Sequence, residues 1–567
     1  MKKWISFVLA LLLCLQFATP AFAKKRVYRK LNKKIPTILI AGDGNALYVP
    51  DETAENGERR AFYMRDIIKD IQSGNNSNGG VSDAVATVLQ PFFKEGILKN
   101  NWDPYFDALE KEVSDLFSLI RLDGDGNPQY GSNISKADRD TVQYDRTHDK
   151  KGDKGYYGLY DYRFWYDWRL DPMEIACQLN DYIRDVKAAT GAEKVSLFSS
   201  CLGSNVVYAY VAQFGTKDIH AISIDATTGN GSEFLSQTIS GQLTLDGSAI
   251  VRFFESAGTT DIFSLDEFWI ATIDLATKAG LLDGVSKLLH ATIYDKVVKG
   301  MTSALALGTF YTMPCYWACV CNEDYETAKA YVFGKEGSAK RQQYAGLIEK
   351  IDAYHYQVAV RLPEILKSVT DSGTFLYILA KYGIQIVPLI KSNEVIGDEF
   401  SSLTRASFGA TTADSIYDTL PADYIAAREA EGKGKYISPD KQVDASTCLY
   451  PDQTWFVKGK THTVRADEEN RLLYVCVVAD RQLTVNDFGW TQYMVYDNAT
   501  RTMSPMTEKN CQAGMTFTAD KANDHPANVF VKIKLYFESL GRWLKLLMPI
   551  LKEKIGEKLN LPQPDAA

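Results

Sequence analysis

Histidine is scarce in this chain, six in 567 residues, so chemistry that needs a base titrating near neutral pH has few residues to draw on. Paired C-x-x-C spacings are absent. Cys315, Cys319 and Cys321 lie close together without a neighbouring histidine, which argues against a zinc knot. Residues 123–127, Asp-Gly-Asp-Gly-Asn, resemble a calcium loop, but Pro128 stands where the turn glycine belongs and Ile134 where the bidentate carboxylate belongs. They read as a surface turn, and neither metal nor cofactor is expected. Cationic excess is lacking too: a formal net charge of −8 excludes nucleic acid as the main partner, because phosphate binding needs clustered positive charge. There is no internal repeat.

The N-terminus is an exception to the lack of long apolar runs and of basic clusters. Lys2 and Lys3 precede an apolar stretch from Trp4 to Phe17, and Ala21-Phe22-Ala23 forms an A-x-A cleavage site. The expectation is a signal peptide over residues 1–23, a mature chain from Lys24, and secretion. Leu13 before Cys14 is too large for a lipoprotein signal. Lys24, Lys25, Arg26, Arg29, Lys30, Lys33 and Lys34 then form a solvated start or a contact to an anionic membrane or cell-wall surface. No other apolar run reaches eighteen residues.

Residues 195–205, Val-Ser-Leu-Phe-Ser-Ser-Cys-Leu-Gly-Ser-Asn, run as a strand into a sharp turn and a helix, with Cys201 at the apex. Small residues two before and two after a nucleophile let strand and helix backbones approach closely, and Ser199 and Gly203 meet that demand. A cysteine so placed is a candidate acyl acceptor; read blandly, it is a small buried hydrophobe. Upstream, Thr37-Ile38-Leu39-Ile40 reads as a buried strand ending in the turn Ala41-Gly42-Asp43-Gly44-Asn45.

Tyr162 to Trp168 reads as a further strand. Asp171-Pro172-Met173-Glu174 supplies a cap, a first-turn proline and a capping-box glutamate for a helix closed by Gly191. Strand 219–225 completes a βαβαβ series. The fold class expected is therefore α/β: a mostly parallel sheet flanked by helices, with function at the carboxyl ends of the strands. Residues 230–450, rich in amphipathic and aromatic segments, read as an inserted cap, so the core comprises 24–229 and 451–567. Strand character returns over Leu472 to Val478. A terminal helix from about Asn528 to Leu551 carries Phe530, Ile533, Leu535, Phe537, Leu540 and Leu544 as a packing stripe.

Several segments together resemble the lecithin:cholesterol acyltransferase and lysosomal phospholipase group of α/β-hydrolases. Pro36 to Leu47 is similar to its first-strand motif with one loop residue missing. Tyr166-Asp-Trp-Arg169 matches its Y-D-W-R strand, Ser199 to Gly203 stands for A-H-S-M-G, Thr227 to Ser232 resembles a post-strand turn, and Met313-Pro-Cys-Tyr-Trp317 a cap segment. The resemblance implies an α/β-hydrolase fold, Cys201 as nucleophile, and an oxyanion hole from the backbone N–H groups of Asp43 and Leu202. It further implies His525, in Asn523-Asp-His-Pro526, as base; the other histidines, 148, 220, 290, 355 and 462, have no comparable placement. The family's D-G-D-G-T-V acid is missing, and Asp497 is the nearest substitute, with Asp480 the alternative.

Two functions follow. One is a secreted acyl hydrolase or acyltransferase acting on a lipid ester or other acyl substrate through a covalent acyl-enzyme. The other is an inactive relative that keeps the fold as a lipid- or surface-binding module.

Overall fold

The computed structural model describes residues 35–42, 45–63, 87, 90–97, 99, 101–139, 160–244, 246–257, 267–280, 310–462, 467–487, 491–497, 500, 502–511 and 528–558. The leader, Asp43 and His525 lie outside these residues. The central layer is an eight-stranded sheet built from β1 (Thr37–Ile40), β2 (Tyr162–Arg163), β3 (Val195–Cys201), β4 (Ile219–Thr227), β5 (Phe375–Tyr382), β6 (Thr454–Lys458), β7 (Tyr493–Asp497) and β8 (Thr502–Pro505). Their order across the sheet is β8-β7-β6-β5-β4-β3-β1-β2. Every neighbouring pair is parallel except β7 with β8. Helices cover the sheet, which makes the chain an α/β protein.

The local signals explain how β3 is framed. Helix α1 (Pro172–Thr190) begins at Asp171, whose carboxylate accepts the Met173 N–H, and ends at Gly191, whose φ of 70° only glycine adopts freely. Ile175, Leu179, Ile183 and Val186 bury its inner face. Helix α2 (Gly203–Phe214) follows β3 after a single residue and is buried from Gly203 to Val211. That tight join depends on Gly203, because a Cβ there would stand 2.2 Å from the Ile40 carbonyl oxygen.

The strand expected over 162–168 pairs in the sheet only at Tyr162 and Arg163. Beyond it, Arg169 turns back into the core. Its guanidinium, fully buried, donates to Asp167, to the Ile120 carbonyl at 2.6 Å, and to both the hydroxyl and the carbonyl of Ser132.

Three expectations are corrected. The region read as a cap over 230–450 contains β5, which lies between β4 and β6 inside the sheet. A strand buried on both faces is continuously apolar and lacks the alternation that marks a strand in sequence. Leu472 to Val477 belongs to helix α4 (Asp467–Val477) rather than a strand. Leu472, Leu473, Cys476 and Val477 are all fully buried and Ser196 donates to the Val477 carbonyl, so burial around the helix erases its period. The terminal helix is present as α5 (Val529–Lys558), but only part of its supposed packing stripe packs: Leu535 and Leu540 are half-buried, while Phe530, Ile533, Phe537 and Leu544 are exposed.

Candidate functional site

Cys201 closes β3 with φ 50°, a left-handed conformation costly for a residue with a Cβ. Ala226, at the end of β4, and Glu399, in the turn beyond β5, share that sign, with φ 46° and 92°. Three strained non-glycine residues thus converge where these strands end, the pattern expected of a functional site held by its surroundings.

Cys201 is half-buried, and its sulfur sits at the start of α2, whose first N–H groups have no partner within the helix. Leu202 is the N-cap residue and presents its amide there. Gly42 closes over the same spot: a methyl group on it would lie 2.8 Å from the Cys201 Cβ, 3.1 Å from Sγ and 3.4 Å from the Leu202 nitrogen. Only glycine lets that loop approach the sulfur. The described cysteines are all free thiols. Burial pushes the Cys321 and Cys448 thiols up to about 12, which makes them poor nucleophiles.

The residue beside the sulfur is His462, in the loop after β6. Its Nδ1 lies 2.8 Å from Asp398 Oδ2, Cys201 is close enough to act on the charge of the ring, and the buried Nε2 has no hydrogen-bond partner of regular geometry. Burial opposes the imidazolium, yet the Asp398 carboxylate and then Cys201 outweigh it and hold His462 well above the ordinary histidine range. The loop is fixed at the backbone as well. The His462 N–H donates to the Asp398 carbonyl at 2.8 Å, and the buried Lys381 ammonium donates to the His462 carbonyl at 3.4 Å. Lys381 also faces Asp225 at 3.7 Å, tying the ends of β4 and β5 to the histidine. Phe400 covers one side of the ring, with centroids 5.1 Å apart.

Asp398 is held by its own turn. Its Oδ1 accepts the N–H groups of Phe400 and Ser401, leaving Oδ2 for the imidazole. That arrangement fixes the tautomer that donates from Nδ1 and frees Nε2 for a reacting group.

The expected site residues are thus distributed unevenly. The structure brings Cys201 and Leu202 together at the end of β3. Asp497, expected to orient His525, ends β7, half-buried, pairs with Thr502 of β8 and accepts the Thr500 N–H; the carboxylate on His462 is that of Asp398. Asp480 is exposed and follows Ala479, whose carbonyl meets His220 at the beginning of β4. It therefore lies at the amino ends of the strands, opposite Cys201. His462 and Asp398 were missed because Gly397-Asp-Glu-Phe and Lys458-Gly-Lys-Thr-His read as polar surface loops. One usable signal was present, a histidine four residues beyond a fully buried strand.

Glu399 adds an unusual neighbour. It is fully buried, and neither carboxyl oxygen has a hydrogen-bond partner of regular geometry. Burial, then the Asp398 carboxylate beside it, pushes its carboxyl up to about 8, with His462 and Lys381 pulling the other way. A carboxyl whose folded value lies above its unfolded value of about 4.5 keeps its proton in the fold, so stability falls as pH rises from about 4.5 to 8. His462, raised above about 6.5, loses its contribution in the same direction through its folded value. Glu399→Gln removes the first component only, on the order of 4 kcal/mol at most. The drop in urea midpoint between pH 5 and pH 8 should therefore shrink in the variant; an unchanged drop would show that Glu399 does not hold its proton.

No protein-family model and no curated protein matches the chain. Among solved structures, it is similar to a chain in the crystal structure of the Tle4–Tli4 complex, with 10% identity, 61% of this chain and 75% of that chain covered, and a TM-score of 0.22.

Proposed function

We propose that the chain is an acyl hydrolase or acyltransferase of the α/β-hydrolase type, with Cys201 as nucleophile, His462 as base and Asp398 as the acid that orients it. The observation that carries this reading is the imidazole held between a strained cysteine and a capped carboxylate at the ends of a parallel sheet. The order along the chain, nucleophile, acid, histidine, is also that of α/β-hydrolases.

The chemistry follows from the geometry. His462 in its neutral form takes the thiol proton on Nε2 as Sγ attacks the acyl carbon, and the carbonyl electrons move onto oxygen. The Leu202 N–H stabilises that oxyanion, a role the family resemblance also gives to the Asp43 N–H; one such donor is worth about 3–4 kcal/mol of barrier. Collapse expels the alcohol, which takes the proton from Nε2, and leaves a thioester on Cys201. Water or a second alcohol then attacks the thioester and restores the thiol.

Lipid esters are the substrate class proposed, on the likeness of the 36–317 segments to the phospholipase group; export through the 1–23 leader would place the reaction outside the cell. The test is turnover of a short-chain p-nitrophenyl ester and of a phospholipid, with mass spectrometry of the quenched protein. Wild type should acquire one acyl group on Cys201, and Cys201→Ala should lose at least about 10³-fold in rate. Equal turnover by Cys201→Ala would remove Cys201 as nucleophile, and no turnover by wild type would leave the fold as a binding module.

A further inference from the structure

Exposed large apolar side chains are concentrated on one element. Helix α5 carries Phe530, Ile533, Phe537, Leu544 and Met548 in the open, with Phe530 78% and Phe537 62% exposed. Their spacing of three, four, seven and four residues places them on one face, about 27 Å long at 1.5 Å per residue. The opposite face is occupied. Trp543 donates to the Thr272 hydroxyl at 3.0 Å and Ser539 to Asp274 at 2.6 Å, both on helix α3 (Glu267–Lys278). Docking on α3 fixes which way α5 is turned, so the outward stripe is set by packing. A Cβ added at Gly541, beside the stripe, would meet nothing within 4 Å.

Charge selects the occupant. Exposed Lys534 and Lys545 border the stripe on one side, Lys532 and Arg542 lie further round, and Glu538, ion-paired to Lys534, is the lone carboxylate among them. This local excess of cations opposes the net negative charge of the whole chain. Among the described residues no helix is long and apolar enough to cross a membrane. An apolar face edged by lysines on a helix that does not span is the form that lies in a bilayer interface, its side chains at the acyl boundary and its ammonium groups at headgroup phosphates. We infer that the outward face of α5 docks this protein on an anionic lipid surface. The inference does not depend on the reaction at Cys201.

The experiment is co-sedimentation of the purified Cys201→Ala protein, in which turnover cannot intrude, with phosphatidylglycerol vesicles and with phosphatidylcholine vesicles. Binding should be at least tenfold stronger to phosphatidylglycerol and should weaken as salt rises. Phe530→Glu/Phe537→Glu should lower it at least tenfold without moving the thermal midpoint, since both positions are exposed. Lys534→Glu/Lys545→Glu should abolish the preference for the anionic vesicle. Absence of binding, or binding that survives the phenylalanine substitutions, overturns the inference. So does a dimer in light scattering that those substitutions dissolve, which would make a second copy the occupant.

Discussion

Replacing His462 by alanine should lower kcat/KM on an activated ester by on the order of 10³ to 10⁶-fold, as loss of the base does where nucleophile and base act as a unit. Asp398→Asn should cost about 10² to 10⁴-fold, because an amide no longer enforces the tautomer that leaves Nε2 free to accept a proton. The His525→Ala protein is the decisive control. If His462 is the base, His525→Ala stays within a few-fold of wild type and retains its pH profile, whereas Asp398→Asn shifts the profile's acidic limb. Loss of activity in His525→Ala with His462→Ala largely active would reverse the assignment. The contrast is sharp because His462 is already fixed at Nδ1, at its N–H and at its carbonyl.

The largest effect on stability is expected at Arg169, remote from the reacting atoms. Arg169→Leu leaves Asp167 buried without its cation and strips the donor from the Ile120 carbonyl, the Ser132 hydroxyl and the Ser132 carbonyl. Breaking a buried pair from one side costs about 3–5 kcal/mol. A lysine, with one ammonium in place of a planar fork, cannot reach all these acceptors, so Arg169→Lys should recover little. Differential scanning fluorimetry should show both variants several degrees below wild type. Asp167→Asn combined with Arg169→Leu should recover part of the loss, since no charge then stays buried unpaired. A single variant indistinguishable from wild type would show that the network carries no stability.

These sites show where sequence reading works and where it stops. The turn at Cys201 was legible because its demand is steric and local: Ser199 and Gly203 must be small whatever surrounds them. Helix α1 was legible for the same reason, through Asp171, Pro172 and Gly191. The Tyr166 to Arg169 run was legible as a likeness, while its physical role, a fully buried guanidinium joining three segments, was not. His462 and Asp398 were hidden because their role is set by partners far along the chain. Lys458, Lys460 and His462 are all buried, yet in sequence they look like a solvated basic loop. Strand β5 was hidden by the completeness of its burial, and α5 misled in the opposite sense, since apolar periodicity marks a face without saying what it meets.

The two rims of the sheet carry a consequence for the chain in concentrated solution. A sheet invites other chains wherever a long strand leaves its amide row unpaired. Here one rim is β2, two residues long, and the other is β8, which turns back antiparallel and ends at Pro505, where no amide hydrogen exists. Among the described residues neither rim offers a long row that a second polypeptide could extend by strand addition. Crowding at high expression should therefore bring copies together through helix faces before it recruits strands, and such clusters would disperse in mild detergent where cross-β aggregates would not.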